Sequence, residues 1–403
     1  MLMWKTLNRL RTLFLRSETH RAVLAFVLFA SGVLVVGVAR GQVQLTGQTV
    51  DGRMMALNQK APDFPRPGFK VSGTTWINSE PLTLKQLRGK VVMLDFWEYT
   101  CINCIRTFPQ NKEWYARYQK YGFEIIGVHD PEFQIAYDVA NVQAAVKRYE
   151  LPYPIVADDR FKIWKDYSNE AWPSRFLIDA KGNVRFHVDG EGDDHNFEVA
   201  IRRLLIEAHP GLTFPPEDKL PGAENTYSQT CGGQPTAEMY VGPWEGRGIL
   251  ENKDPYHRGQ VANYKLPPDV DDGRAVISGK WETDPNGMIF EGETQQADKN
   301  AARMEIKYHA TQIYAVINVA QGKPERLYIL QDGKDLTNTD KGADVKIDEQ
   351  GHSYIDVDSS RMYYLAANPQ FGSYTLELIP TEPGIQIDSF TFGNSCQTEF
   401  PHV

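Results

Sequence analysis

Cys101 and Cys104 stand two residues apart in the 403-residue chain, which holds two further cysteines, Cys231 and Cys396. A C-x-x-C pair can supply half of a zinc site, close a structural disulfide, or cycle between dithiol and disulfide. Zinc would need a second pair, and no other C-x-x-C or H-x-x-H lies at ligand spacing. The surroundings favour redox cycling. Residues 91–96 (VVMLDF) read as a buried strand and residues 102–121 as a helix, so the pair sits where a strand hands over to a helix. At a helix N-terminus, free backbone N–H groups and the helix dipole stabilise a thiolate on the first cysteine. Cys101 is then the nucleophile, and Cys104, one turn on, resolves the mixed disulfide. Asp95 lies on the strand just upstream. A buried carboxyl there can exchange a proton with the Cys104 thiol, its own pKa raised by desolvation.

Two prolines bear on the pair. Pro109 falls inside the helix, where a kink is expected. Pro173 precedes a run read as a buried strand, RFLID at 175–179, and a cis Trp172–Pro173 bond would present backbone opposite the cysteines for substrate to pair with. Trp97 and Trp172 complete the candidate substrate contacts.

The elements that position these residues alternate between strand and helix. Strands are read at residues 91–96, 123–128, 154–157, 175–179 and 184–188, the last two joined by the turn Ala180-Lys181-Gly182-Asn183. Helices are read at 102–121, 139–149, 161–167 and 197–208. Strand–helix alternation ending in a hairpin indicates a mixed α/β sheet. Residues 210–236, rich in Pro, Gly, Ser and Thr, read as a linker. Beyond it come strand-like runs at 275–281, 303–308, 313–319, 326–331, 354–357, 361–366, 374–379 and 387–392, the pattern of a β-sandwich.

The leader differs from the rest. Lys5, Arg9, Arg11, Arg16 and Arg21 precede a charge-free apolar run, 22–39, about as long as a bilayer-spanning helix requires. Basic residues before it predict a cytoplasmic N-terminus and export of the remainder of the chain. The run reads as an anchor first and as a cleaved signal peptide second. The formal net charge of −9 argues against a general nucleic-acid binder, which needs a basic face. The expected organisation is a leader at 1–40, a linker at 41–60, a redox domain at 61–210, a linker at 211–236 and a β-domain at 237–403.

The strings around these residues resemble the thioredoxin superfamily, and within it the membrane-bound thiol reductases typified by TlpA. Ala61-Pro62-Asp63-Phe64 and the stretch from Leu84 to Val92 look like that branch's opening. FWEYTCINCIRTFP at 96–109, GVHDPEF at 127–133 and GEGD at 190–193 are similar to the soluble portion of DipZ proteins. So are EMYVG at 238–242, SGKW at 278–281 and FTFG at 390–393. The resemblance implies an α/β thioredoxin fold and then an all-β sandwich, jelly-roll or galactose-binding-like, similar to carbohydrate-binding modules. With the leader, a single N-terminal transmembrane or signal helix precedes both. It also implies that Cys101 and Cys104 are the redox pair. The sequence itself gives no sign of a metal or organic cofactor. DipZ proteins carry a multi-helix membrane portion ahead of this region, replaced here by one span. Reduction would therefore come from a separate membrane thiol donor, CcdA- or DsbD-like. The expected setting is the inner membrane, single-pass, with both domains in the periplasm and exported protein disulfides as substrates, or secretion after signal cleavage. The position before the first cysteine, commonly Trp in thioredoxins, is Thr100. A peroxiredoxin reading around P-x-x-x-T-x-x-C would put Trp97 and Cys101 where Pro and Thr belong.

Secondary candidates remain. Glu98 could tune the cysteines, but reads first as a solvated charge at the rim. His129 reads first as a histidine bonded within its loop. His195 with Asp193 and Asp194 reads as a solvated helix start rather than a metal cluster. Cys231 and Cys396 bracket the β-domain; a bond between them would add about 4–5 kcal/mol in the chain-entropy view, and two free thiols are the alternative. The aromatics Tyr240, Trp244, Tyr256, Trp281, Tyr363 and Tyr364 include candidates for a glycan-stacking platform, though most aromatics in a sandwich are core.

Overall fold

The computed structural model describes residues 59–65, 74–214, 232–243, 248–293, 295, 300–319 and 324–394. The apolar run 22–39, Cys231, Cys396 and Trp244 lie outside them. Among the described residues no helix is long and apolar enough to cross a membrane.

The first half is built on β3 (Val91–Trp97), whose seven residues are all buried. It is central because both of its edges are paired. It runs parallel to β4 (Phe123–His129) on one side and antiparallel to β6 (Ser174–Ile178) on the other. Such a strand needs apolar residues on both faces, which is why VVMLDF shows no alternation. The sheet continues through β1 (Gln59–Lys60), β2 (Thr74–Ile77), β5 (Ile155–Asp158) and β7 (Asn183–Asp189), in the order β1-β7-β6-β3-β4-β5-β2. Val91, Met93 and Trp97 enter one apolar cluster, and Val92, Leu94 and Phe96 enter the opposite one. Asp95 shares the parity of the first set.

Helix α1 (Ile102–Tyr118) is the crossover between β3 and β4. It buries Cys104, Ile105, Phe108, Asn111, Trp114 and Tyr118, a stripe at helical spacing. Pro109 lies within it, and the helix ends in a 3-10 turn before Gly122 at φ 90°. Helices α2 (Val139–Arg148), α3 (Lys162–Asp166) and α4 (Asp194–Ala208) complete the half. Helix α4 begins three residues earlier than its apolar pattern suggested, at a polar first turn whose N-cap residue is Asp193. Strands β1 and β2 are short edge strands with little apolar signal, and the sequence reading missed both.

The second half is antiparallel. It comprises β8 (Met239–Tyr240), β9 (Val261–Tyr264), β10 (Arg274–Ile277), β11 (Gly279–Thr283), β12 (Met288–Phe290), β13 (Met304–Val319) and β14 (Glu325–Gln331). To these are added β15 (Lys334–Asp335), β16 (Lys346–Ile347), β17 (Ser353–Val357), β18 (Arg361–Pro380) and β19 (Ile385–Gly393). The run expected at 275–281 is broken in two. Gly279 takes φ 87°, and a Cβ there would sit 2.3 Å from that of Ala302. The runs at 361–366 and 374–379 are instead one strand, because β13 pairs with β18 from Ile317↔Arg361 to Met304↔Leu378.

The two halves share a core. Ile313, Ala315 and Ile317 on β13, with Tyr363 and Leu365 on β18, enter the β-half's own cluster. The alternate residues Tyr314, Val316, Met362 and Tyr364 enter the cluster of α1 and β3. Period-two alternation thus gives each of these strands one face toward its own sheet's core and one toward the α/β half.

Gly127 on β4 pairs with Asp95 in register. A Cβ at Gly127 would lie 2.4 Å from Ile155 Cδ1 and 3.0 Å from Trp97 Nε1. Gly127→Ala is expected to cost about 1–3 kcal/mol through overpacking. Urea unfolding of the two proteins checks this, and equal midpoints would remove the steric account.

Candidate active site

Cys101 is the N-cap residue of α1, with extended φ/ψ of −82°/110°. Its Sγ accepts the backbone N–H of Cys104 at 3.4 Å, and its own N–H donates to Glu98 O at 3.3 Å. The thiol therefore occupies the place that a serine or aspartate oxygen fills in ordinary caps, within the positive end of the helix dipole. Both cysteines are free thiols; Cys101 is half-buried and Cys104 fully buried. Burial pushes the Cys104 thiol well up, and the neighbouring Cys101 and Asp95 push in the same direction. One accessible sulfur at a helix terminus above one inaccessible sulfur can carry out sequential attack and resolution.

Asp95 is completely buried. Burial pushes its carboxyl up to about 7, against the opposing pull of the Arg175 charge and the Asn111 hydrogen bond. Asn111 Nδ2 donates to Asp95 Oδ2 at 2.9 Å, while Oδ1 has no hydrogen-bond partner among the described residues. Arg175 faces Asp95 across the β3–β6 register. Its guanidinium donates to Asp194 Oδ1 at 2.7 Å and to Gly192 O. The sequence reading missed Asn111 and Arg175. Asn111 was detectable as a polar residue seven after Cys104 on the buried stripe; Arg175 depends on cross-strand register.

The Trp172–Pro173 bond is cis. Ser174 pairs with Phe96, so the register brings Pro173 beside the end of β3, where the C-x-x-C segment begins. Pro173 O accepts Gly190 N–H at 2.7 Å. Trp172 is half-buried against Trp164 at 4.5 Å between ring centroids. Trp97 is placed differently from the expectation. It is fully buried, edge-on to Phe108 at 5.3 Å and to His129 at 5.0 Å, because its parity on β3 turns it into the core beneath α1. It is packing rather than a substrate contact.

Glu98 is not a solvated rim charge; it has no exposed surface. Its Oε2 accepts the backbone N–H of Thr100 at 2.6 Å and the Thr100 hydroxyl. His129, also fully buried, has neither ring nitrogen hydrogen-bonded among the described residues, so the bonded-loop reading does not hold. Asp194, near His195, is engaged by Arg175. Of the six aromatics named for a glycan platform, Trp281, Tyr363 and Tyr364 are core residues. Tyr256 OH donates to Val241 O, and Tyr240 OH donates to Glu132 of the α/β half at 2.5 Å.

The β-half reaches helix α1 through Arg106, which sequence reasoning did not single out. Its guanidinium donates to Asn103 Oδ1 between the cysteines (3.2 Å), to Glu191 Oε1 near the Pro173 loop (3.3 Å) and to Gln312 Oε1 on β13 (3.3 Å). It lies over the Tyr314 ring at 5.9 Å.

Residues 57–187 match the AhpC/TSA family, and residues 236–393 match the thioredoxin-like C-terminal domain family. The protein DipZ of Mycobacterium tuberculosis is 32% identical over 79% of this chain and 42% of its own length. The chain thus spans less than half of the DipZ proteins it matches. The thiol–disulfide oxidoreductase ResA of Bacillus cereus is 31% identical over 43% of this chain and 94% of its own. The solution structure of a thioredoxin-like protein in the oxidised form is 25% identical, covering 38% of this chain and 99% of that one, with a TM-score of 0.34.

The raised pKa of Asp95 has a consequence for stability. Between the ordinary 3.8 and about 7 the folded state holds a proton that the unfolded state has released. Stability therefore falls as pH rises through that window, by up to about 1.4 kcal/mol per unit. Asp95→Asn is expected to flatten this part of the curve and to be more stable than the parent at pH 8. Some slope remains, since burial also lifts Asp388 to about 7. Urea unfolding at pH 5 and pH 8 checks it; an unchanged slope would mean that Asp95 is ionised in the folded state.

Proposed function

The chain belongs to the thiol–disulfide oxidoreductases of the thioredoxin superfamily, and we propose that it reduces disulfides of exported proteins with Cys101 and Cys104 as its redox pair. The observation that carries this reading is the half-buried Cys101 sulfur capping α1 directly above the buried Cys104, with Asp95 behind them. The Cys101 thiolate attacks one sulfur of the substrate disulfide. That forms a mixed disulfide and releases the other sulfur as a thiolate. Cys104 then gives its proton to Asp95 and attacks Cys101 Sγ. The second substrate thiolate leaves, and both released sulfurs take up protons. Two electrons have passed from the dithiol to the substrate, leaving a Cys101–Cys104 disulfide. Pro173 and Trp172 border the site where an extended substrate segment would lie. No cofactor is required, since the electrons reside in the cysteine pair.

Regeneration needs a thiol donor. The reading assigns this to a separate membrane protein, CcdA- or DsbD-like, with the chain held at the membrane by its apolar run 22–39 and both folded halves outside the cytoplasm. The basic residues before that run support this orientation. The AhpC/TSA match brings a second reading, peroxide reduction. Against it stands the full burial of Cys104, which would be the peroxidatic sulfur in that alignment. Peroxide consumption by the reduced protein separates the two. In the β-half, three of the aromatics considered for glycan stacking are core, which weakens the glycan-binding reading.

The reduction potential of the Cys101–Cys104 pair, equilibrated in glutathione and dithiothreitol buffers, tests the direction of transfer. A value near roughly −270 mV is expected for a reductase, and one near roughly −120 mV would make the protein an oxidant. Cys101→Ser is expected to abolish insulin-disulfide reduction, whereas Cys104→Ser accumulates a mixed disulfide with substrate. Absence of any two-electron couple would overturn the reading.

A further inference from the structure

The segment joining β3 to α1 is Glu98-Tyr99-Thr100, and its conformation decides where the Cys101 sulfur stands. Glu98 holds it from within. One carboxylate oxygen, Oε2, takes both the N–H and the hydroxyl of Thr100, and the Glu98 carbonyl takes the N–H of Cys101. The other oxygen, Oε1, has no hydrogen-bond partner among the described residues, although Glu98 is wholly buried. A buried oxygen in that position calls for a hydrogen-bond donor.

His129 lies where one would come from. It closes β4 opposite Trp97 in the parallel register. Its ring is stacked on Tyr99 at 5.7 Å and edge-on to Trp97 at 5.0 Å. Its Nε2 is 3.8 Å from Glu98 Oε1, and neither ring nitrogen has another hydrogen-bond partner among the described residues. The imidazole is therefore enclosed by Trp97, Glu98 and Tyr99, the residues leading to the nucleophile. A closure of about 1 Å would make the contact a charge-assisted hydrogen bond.

We propose that Glu98 and His129 form a buried ion pair that positions the Cys101 segment and sets the reactivity of its thiol. These are positioning residues, since they act through Thr100 and the backbone rather than on substrate. The inference rests on the reading of Cys101 as nucleophile and adds to it a second buried charge system, distinct from Asp95. As a pair the two groups carry no net charge. Removing the carboxylate takes a negative charge from behind the thiol, and removing the imidazole takes away a positive one. The other titratable groups around them are Asp130 next in sequence, Asp158 at the end of β5, and Asp159 with Arg160 beyond it. Toward Tyr99 stand Tyr149, Asp138 and Asp388.

The test is the pH profile of Cys101 alkylation by iodoacetamide in the full chain carrying Cys104→Ser, read on the Cys101 peptide by mass spectrometry. Glu98→Gln is expected to move the inflection to lower pH and His129→Gln to higher pH, each by about half a unit or more, or about threefold in rate below the inflection. The double variant returns toward the parent, as coupled partners require. A purely structural role would move both single variants the same way, or neither, and either result overturns the proposal. Should a charge variant fail to fold, Thr100 carries the test. Thr100→Val is expected to slow alkylation at least about threefold, and Thr100→Ser to restore it. Equal rates for these two would overturn the proposal. A reversible Cys101–Cys104 couple in the unsubstituted protein is measured in parallel. Its absence would sink the disulfide-exchange reading, whereas its presence with unmoved profiles would sink the ion pair alone.

Discussion

A helix terminus with its first amides unsatisfied is the constraint around which the α/β half is arranged. Those amides must meet an acceptor, and at α1 the acceptor is the Cys101 sulfur. The cap of α1 and the first cysteine of the C-x-x-C pair are therefore one group. The arrangement holds only if the chain leaves β3 and enters α1 along a fixed path. The all-buried β3 provides the start of that path, and the apolar stripe of α1 provides its end. Cys104 falls on the stripe three residues after the cap, where the same packing that holds the helix removes its thiol from water.

Burial is also what gives the surrounding acids their properties. Asp95 shares the parity of Val91, Met93 and Trp97, so the pleat carries it under α1 into an apolar cluster. Isolation from water lifts its carboxyl toward neutrality, and the partial compensation by Arg175 and Asn111 keeps the lift moderate. A carboxyl poised near 7 accepts and returns protons at neutral pH. Arg175 is itself held by Asp194 and the Gly192 carbonyl, so the start of α4 is tied to the β3–β6 pair.

The β-half is structurally part of this site. Its strands β13 and β18 send alternate residues into the cluster of α1, and Arg106 joins the residue between the cysteines to β13 and to the segment after Pro173. The start of α1, the segment after Pro173 and β13 are thereby held by one guanidinium with several acceptors, a geometry that lysine would not reproduce.

The amino-acid sequence by itself determined the C-x-x-C pair at a strand–helix junction, the alternation of strands and helices, and the change to β-structure in the second half of the chain. These are local signals: cysteine spacing, hydrophobic period and turn residues act within a few positions of each other. It also placed Asp95 on the buried strand and Pro173 at the head of the next. Only the tertiary structure decided which charges are buried and which groups meet. Glu98 looked solvated because a lone acid beside polar residues ordinarily is, but the packing of β4 against β3 closes over it and brings His129 to it. Trp97 looked available to substrate until parity on β3 turned it inward. Arg175, Asn111 and Gln312 entered the site through register and through contact between the halves, which no single stretch of chain encodes. Side-chain chemistry is written locally, whereas desolvation and pairing depend on what the fold brings alongside from distant parts of the chain.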